Sequence, residues 1–481
     1  MSILVIDVGT SSVRAAVVED DSTVHHVHRR ALPPDVPMAG LVEFDPAAMA
    51  EAALAVARQA VEAAGAAPTT VGVTTQRAST VAWDARTWIP LGSGLGWQDL
   101  RTVGACLELQ SEGLRFSPSE SATKFAWLVQ QSRDQHVDIR LGTVDSWIAW
   151  TLTGGGSHIT DATNAAVTGL YSISEGGWRT DALHRLGIEE DWLPRIGDST
   201  GQLAVASKLP GEPPLCSLIG DQQASLVGQG CTRRGLAKAT FGTGGMLDVC
   251  LGEESPGQPE RGSQGCFPIV AWQAAGQVTW GSEAIMLAAG TAVDWLVEDM
   301  QLISSAAESE ELASSCADTD GVVMVPALLG FGTPQWDFGA RGALFGLTRG
   351  TNRAHIVRAV LEGVAHSGAD LLEATETDTG LRIASLRVDG GMSANRVFVQ
   401  ALADACGRPV EVSRELEATT LGAAYLAGLE TQVWRDLDEV AEDWSPKEIV
   451  EPSGRDPRRD RWKDALERAG KWYPDLSGIK F

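Results

Sequence analysis

One short pattern occurs twice in this chain of 481 residues, and it constrains the fold more than any other feature. Residues 3–18 run from an apolar strand ending in Asp7, through the turn Gly9-Thr10-Ser11-Ser12, into a second strand, which predicts a β-hairpin. The same order of strand, Gly-Thr, small residues and strand returns at residues 239–247, near the middle of the chain. One copy in each half predicts two related domains that face a ligand between them.

The turn of the first hairpin offers groups that can bind phosphate. Gly9 lets the backbone approach a ligand closely, and the N–H groups of such turns can cradle phosphate oxygens. Thr10, Ser11 and Ser12 add hydroxyl groups. Asp7 could hold Mg²⁺, because that ion takes one or two carboxylates plus phosphate oxygens. The alternative is a serine-rich turn that binds nothing, and this copy by itself favours neither interpretation.

A third segment extends the pattern. Residues 386–395 read as a buried strand that runs into Gly390 and Gly391, with a helix starting at Arg396. Bare glycine backbone at a strand-to-helix turn lets a flat base or a ribose lie against it. Each segment could be an ordinary turn, but the three in this order favour a nucleotide site.

Composition and charge exclude several classes of protein. The formal net charge of −25 argues against nucleic acid and anionic membranes as partners, so a phosphate site must depend on local N–H groups, Mg²⁺ or a few arginines such as Arg14 and Arg77. Seven cysteines without C-x-x-C spacing fit a reducing compartment and no structural zinc. The chain has no apolar run of about 18 residues and opens directly into a strand, which predicts a cytoplasmic protein without a membrane span.

Strands and helices alternate along the chain, which predicts the α/β class. A domain boundary is expected near residues 230–235, which gives domains 1–232 and 233–481. The patterns predict strands at 70–75 and 215–220, and helices at 46–65, 124–131, 143–152, 352–373 and 458–472, with another from residue 224 onward.

The segment Gly220-Asp221-Gln222-Gln223 is the best candidate for a reacting centre. An aspartate at the carboxyl end of a strand, beside a helix start, stands where α/β proteins place catalysis. Its carboxylate could take the proton of a substrate hydroxyl as general base. The alternative is a helix cap, for which aspartate is favoured. The two hairpins in the same chain favour the general base.

Five blocks of the sequence carry a resemblance to a known family. They are residues 142–147 (GTVDSW), 220–224 (GDQQA), 341–350 (RGALFGLTRG), 387–391 (RVDGG) and 420–429 (TLGAAYLAGL). With them the chain resembles the FGGY family of carbohydrate kinases over nearly its whole length, and within that family its glycerol kinase branch. The resemblance implies two ribonuclease-H-like domains of the actin/hexokinase superfamily, with ATP and substrate in the cleft between them.

The resemblance also implies roles for single residues. Asp221 matches the general base, and Asp7 the acid associated with Mg²⁺. The phosphate loops of the family match Thr10, Ser11, Ser12, Arg14 and Thr243. Its nucleoside contacts match Gly290, Asp294, Gly391, Met392 and Arg396. Its substrate contacts match Arg77, Trp97 and Gln222, and Asp99 of the W-x-D-x-R pattern could bind hydroxyls of a longer substrate, the alternative being a surface helix cap.

Three departures from the glycerol kinases change the expected pocket. Ala78 replaces a glutamate, Ser119 aligns with a tyrosine, and Met246 aligns with a phenylalanine. Lost polar partners in a buried site change specificity strongly, so an acceptor of four or five carbons is expected first and glycerol second. A rival of another class is a nucleotide-gated interaction protein on the actin-like fold, which the segment 220–223 disfavours. A homodimer is a further expectation.

Regulation is expected to differ as well. In bacterial glycerol kinases an arginine helps to bind the inhibitor fructose 1,6-bisphosphate, and here Glu212 aligns with it. A carboxylate would repel the bisphosphate that an arginine would clamp.

Overall fold

A computed structural model describes residues 1–132, 137–256, 261–414 and 417–479 of the chain. The strands of the N-terminal half are β1 Ile3–Val8, β2 Ser12–Val18, β3 Val24–Ala31, β4 Asp35–Met38, β5 Leu41–Phe44, β6 Thr70–Thr75, β7 Thr80–Asp84, β8 Gly94–Leu95, β9 Ile139–Thr143, β10 Ile159–Asp161, β11 Tyr171–Ser172, β12 Gly177–Trp178, β13 Arg195–Gly197, β14 Thr200–Val205 and β15 Pro214–Gly220. Its helices are α1 Pro46–Ala64, α2 Val103–Ser111, α3 Ala122–Ser132, α4 Val144–Leu152, α5 Ala162–Ala166, α6 Thr180–Leu186 and α7 Asp221–Gly228.

The strands of the C-terminal half are β16 Ala237–Phe241, β17 Gly245–Gly252, β18 Phe267–Ala274, β19 Gln277–Met286, β20 Val323–Val325, β21 Ala343–Phe345, β22 Leu386–Asp389, β23 Val410–Ser413 and β24 Pro446–Val450. Its helices are α8 Gly290–Glu298, α9 Glu308–Ser314, α10 Arg353–Thr379, α11 Arg396–Cys406, α12 Ala418–Glu430, α13 Leu437–Asp443, α14 Arg459–Ala469 and α15 Pro474–Ser477. Within the described residues, no helix has both the length and the apolar composition to cross a membrane.

The two large sheets share one topology over six strands, and the second has β18 as an additional edge strand. The first has the order β14-β15-β6-β1-β2-β3, and the second has the order β18-β19-β17-β16-β22-β23-β24. In the first, β1 and β2 form an antiparallel hairpin and β1, β6 and β15 run parallel. In the second, β16 and β17 form the hairpin and β16, β22 and β23 run parallel. This repeated arrangement is the ribonuclease-H-like fold, so the predicted pair of such domains is confirmed.

Local sequence signals account for most elements. Helix α1 begins at Pro46 after the capping side chain of Asp45 and ends at Ala64, where Gly65 caps it with a φ of 70° that suits glycine. The strands predicted at 70–75 and 215–220 are present, and helix α10 continues to Thr379, beyond the predicted end. The helix expected from residue 224 begins earlier, at Asp221, with Gly220 as its N-cap.

Helix α12 joins the two halves of the chain. It lies against α7 and the first sheet, and Leu421 and Leu426 share a buried cluster with Ile3, Val5 and Ile219. The contact is a close approach of two backbones: a Cβ built on Gly422 would lie 1.8 Å from the carbonyl oxygen of Ala224. A segment of the C-terminal half therefore supports the helix that starts at Asp221. The predicted boundary at residue 232 stays a prediction.

Candidate active site

The carboxyl ends of parallel strands bring the candidate residues of the first domain together. Asp221 follows β15, Arg77 follows β6, and the hairpin turn follows β1. Arg77 Nε lies 3.6 Å from Asp221 Oδ1, and the backbone N–H of Gln76 donates to the carbonyl of Val8 at 2.8 Å. In open α/β sheets this edge is where ligands bind. The structure thus places the predicted base and the predicted substrate arginine side by side, next to the first hairpin.

The surroundings of Asp221 suit a proton acceptor. Its side chain is 30% exposed, and Oδ1 accepts a hydrogen bond from the backbone N–H of Gln222 at 2.8 Å. Burial raises the pKa of the Asp221 carboxyl above its ordinary value, the charge of Asp7 raises it further, and Arg77 opposes both effects. A carboxylate with a raised pKa is a stronger base toward a hydroxyl proton.

Trp97 connects this group to the first hairpin. Its indole Nε1 donates to Thr10 Oγ1 at 3.3 Å, and its backbone N–H donates to Ser79 Oγ at 3.0 Å. Its carbonyl accepts from Nζ of Lys124 at 3.1 Å, and burial lowers the pKa of that wholly buried lysine to about 7. One hydrogen bond of the side chain and two of the backbone therefore hold Trp97 in place.

Asp99 has its partners inside the protein. Its carboxylate is wholly buried, pairs with Arg101 at 2.8 and 2.9 Å, and accepts the backbone N–H of Val42 at 2.7 Å. Both oxygens have partners inside the protein, and these contacts anchor the loop that carries Trp97. A role of Asp99 in binding acceptor hydroxyls stays a prediction.

Two of the three residues that depart from the glycerol kinases, Ala78 and Ser119, lie near the loop that carries Trp97. Ala78 is buried with a φ of 59°, and its carbonyl accepts from Ser121 Oγ at 3.0 Å. Ser119 is exposed and shares a hydrogen bond of 2.8 Å with Ser117. Across the described residues, no hydrogen bond joins Ser119 to Arg77 or Asp221, although its loop reaches Ala78 through Ser121. Met246 is partly buried on β17, in the other domain.

The first hairpin turn has a tight internal geometry. The N–H of Gly9 donates to the carbonyl of Ser12 at 3.0 Å, and Ser12 Oγ accepts from Arg29 Nε at 3.0 Å. Thr10 is partly buried and Ser11 is exposed. These hydroxyls stand at the carboxyl edge of the first sheet.

The predicted phosphate arginine is already engaged by carboxylates. Arg14 lies opposite Asp7 in the hairpin and donates to Asp7 Oδ2 at 2.5 Å, and it also pairs with Glu417. Asp7 is 14% exposed. One carboxylate of this kind can serve Mg²⁺ that is held mainly by phosphate oxygens. Over the described part of the chain, no group of three or more His, Cys, Asp or Glu side chains could hold a metal ion.

The second hairpin gathers three of the predicted nucleoside contacts. Its tip residue Thr243 is exposed, and the neighbouring carbonyl of Gly242 accepts the N–H of Gly290 at 2.8 Å. Gly290 must lack a side chain, because a Cβ there would lie 2.6 Å from the Gly242 oxygen. Gly390, with a φ of 85°, packs against Phe241 in the same way and leads into Gly391 and the buried Met392.

Two further predicted nucleoside contacts are solvent-exposed. Asp294 is on α8, and Arg396 is the first residue of α11, where its backbone N–H donates to Glu310 Oε2 at 2.9 Å.

Sequence reasoning missed three charged residues of the second sheet, Lys238, Asp248 and Glu283. The signal in the sequence was a charged residue inside a mostly buried strand. Arg77 Nη2 donates to Glu283 Oε2 at 2.6 Å, and burial raises the pKa of the Glu283 carboxyl.

Comparisons with known proteins agree with this architecture. The N-terminal domain model of the FGGY family of carbohydrate kinases matches residues 2–228, and the C-terminal domain model matches residues 237–431. Glycerol kinases of Dechloromonas aromatica and Deinococcus radiodurans are 40% and 38% identical, each with 98% of both chains covered. The crystal structure of Plasmodium falciparum glycerol kinase with ADP has a TM-score of 0.89 and 28% identity, with 100% of this chain and 99% of that chain covered. A Brucella ovis xylulose kinase shares the fold, with a TM-score of 0.86 at 24% identity and full coverage of both chains. This chain therefore belongs to the FGGY family of carbohydrate kinases, which are phosphotransferases with an alcohol group as acceptor.

Proposed function

We propose that the protein transfers the γ-phosphoryl group of ATP to a primary hydroxyl of a small polyol or ketose with four or five carbons. One observation carries the proposal: Asp221 and Arg77 meet at the sheet edge that also bears the first hairpin turn, and Trp97 bonds to Thr10 of that turn. A proton acceptor, substrate-binding side chains and a phosphate loop thus share one edge. The ADP in the related Plasmodium structure supports a nucleotide in this fold.

Asp221 takes the proton of the attacking hydroxyl in this proposal. Arg77 and Gln222 bind the remaining hydroxyls, and Trp97 borders the carbon chain. The N–H groups and hydroxyls of the two hairpin turns, with Thr10 and Thr243 at their tips, hold the phosphates. Phosphoryl transfer depends mainly on positioning and charge neutralisation, and Mg²⁺ near Asp7 would supply part of the positive charge. Gly290, Gly391 and Met392 would border the nucleoside.

The expected acceptor preference follows from Ala78, which has a smaller side chain than the glutamate that glycerol kinases carry at this position. We expect kcat/KM for some four- or five-carbon polyol or ketose to exceed that for glycerol by about tenfold or more, since one methylene in a pocket already changes specificity by about 10- to 200-fold. Coupled ADP release over C3 to C6 acceptors measures it. The double variant Ala78→Glu with Ser119→Tyr should raise glycerol turnover at the expense of the longer acceptor.

Glycerol is the second candidate acceptor, and the relatives favour it. Both curated relatives described above carry the name glycerol kinase, at 38–40% identity. A wild-type preference for glycerol over the whole panel would decide for this alternative. If no polyol or ketose stimulates ADP release, the result supports a nucleotide-gated interaction protein instead.

Fructose 1,6-bisphosphate is not expected to regulate the protein. Glu212 stands in an exposed turn between β14 and β15, where its N–H donates to the carbonyl of Leu209 at 3.1 Å. Its carboxylate repels a bisphosphate, so millimolar inhibitor should change neither activity nor elution volume on a sizing column. Dose-dependent inhibition that reverses on dilution would contradict this expectation. We also propose a cytoplasmic location, supported by seven free cysteines, and a homodimer.

A further inference from the structure

Three charged side chains stand side by side on the second sheet. Lys238 of β16 lies opposite Asp248 of β17, and Asp248 lies opposite Glu283 of β19. Directly opposed residues of neighbouring strands project from the same face of a sheet. Lys238 and Asp248 are wholly buried and form an ion pair of 2.8 Å, and the side chain of Glu283 is only 5% exposed.

The two outer residues of this row, Lys238 and Glu283, form hydrogen bonds with proposed substrate-binding residues of the other domain. Lys238 Nζ donates to Gln222 Oε1 at 2.7 Å, and Glu283 Oε2 accepts from Arg77 Nη2 at 2.6 Å. Arg77 and Gln222 flank Asp221, which Arg77 approaches to 3.6 Å. The second domain therefore contacts the proposed acceptor site on two sides of the base.

The contacts leave donors available for an acceptor molecule. A lysine can only donate, so Gln222 must turn its oxygen toward Lys238, and its amide nitrogen remains a donor. Arg77 Nη1 is buried and has no hydrogen-bond partner among the described residues. Arginine and glutamine side chains are otherwise flexible, and charge-assisted hydrogen bonds hold them in one geometry.

Stability alone is a poor reason for such a row. Moving charges out of water is costly, and apolar side chains of similar volume often stabilise a core as well or better. We propose that Lys238, Asp248 and Glu283 are positioning residues, which hold Arg77 and Gln222 from the opposite domain so that both are ready to bind the hydroxyls of the acceptor. This inference rests on the proposed function as a polyol or ketose kinase.

The test compares Glu283→Gln with a matched control in the full-length protein. Glu376→Gln breaks a similar pair in the same domain, where Arg408 binds both carboxylate oxygens of Glu376 away from the acceptor site. We expect Glu283→Gln to raise KM for the best acceptor about tenfold or more, the effect of losing a hydrogen bond to a charged group. KM for ATP should change less than about twofold, and Glu283→Asp, which keeps the charge, should restore part of the acceptor affinity. Glu376→Gln should lower Tm and leave both KM values unchanged.

The alternative outcomes separate the two proposals. An active wild-type protein whose acceptor KM is unchanged in Glu283→Gln, or whose acceptor and ATP KM values rise equally, overturns the positioning role alone. If Glu283→Gln does not fold, Asp248→Asn takes its place with the same expected split between the two KM values, and an unchanged acceptor KM there overturns the inference. A wild-type protein that phosphorylates no acceptor overturns the proposed function and this inference together.

Discussion

Replacing Asp221 with asparagine is expected to lower kcat at least about a hundredfold, the contribution typical of a general base. The amide keeps the size of the side chain and an oxygen that can still accept the N–H of Gln222, which Asp221 Oδ1 accepts at 2.8 Å. It cannot take a proton at neutral pH. Binding of ATP, measured by calorimetry, should change little, because we propose that Asp221 contacts the acceptor and not the nucleotide.

A matched control separates catalysis from local structure. Asp84 also ends a strand and is 5% exposed, but it belongs to a separate five-stranded sheet with the order β4-β5-β8-β7-β9. There it accepts from Thr87 Oγ1 at 3.2 Å and from the backbone N–H of Arg86 at 3.0 Å. Asp84→Asn should lower Tm and leave kcat within about twofold, as expected of a residue outside the site. Near-wild-type turnover of Asp221→Asn would show that Asp221 is not the general base and serves only as part of the first turn of α7.

Replacing Gly422 is expected to have the largest effect on stability. Its added Cβ would lie 1.8 Å from the Ala224 carbonyl oxygen, and in return a Cβ on Gly228 would lie 1.8 Å from that of Ala418. Both obstacles are backbone of α7 and α12, which cannot rotate away, so Gly422→Ala should reach or exceed the upper end of the about 1–3 kcal/mol typical of overpacking. Gly422→Val should leave little soluble protein.

Chemical denaturation of Gly422→Ala beside Gly104→Ala measures this effect. Gly104 lies in α2, and a Cβ there meets nothing within 4 Å, so its replacement should be neutral or stabilising by about 0.4–1 kcal/mol. Because α7 begins at Asp221, any Gly422→Ala protein that folds should also lose turnover. A Gly422→Ala protein as stable as the parent would show that α12 can move away from α7 freely.

Tertiary contacts decided what distant residues do. The sequence offered Asp99 as a hydroxyl-binding group, but its carboxylate is buried against Arg101 and the N–H of Val42. It gave no reason to join Glu283 to Arg77, which are separated by 206 positions in the chain. Such pairs depend on which strands become neighbours and on how the two domains meet, and neither is encoded in a local pattern.

The sequence by itself determined both hairpins, the capped helix α1, the strands before Arg77 and Asp221, and the family. These features depend on side-chain alternation, turn glycines and helix caps, which act between residues close together in the chain. Only the tertiary structure decided that Asp221 starts its helix, that α12 returns to the first domain, and that Lys238 and Glu283 hold Gln222 and Arg77. The physical reason is that burial and charge pairing depend on the packing of elements far apart in the chain, which local signals do not specify.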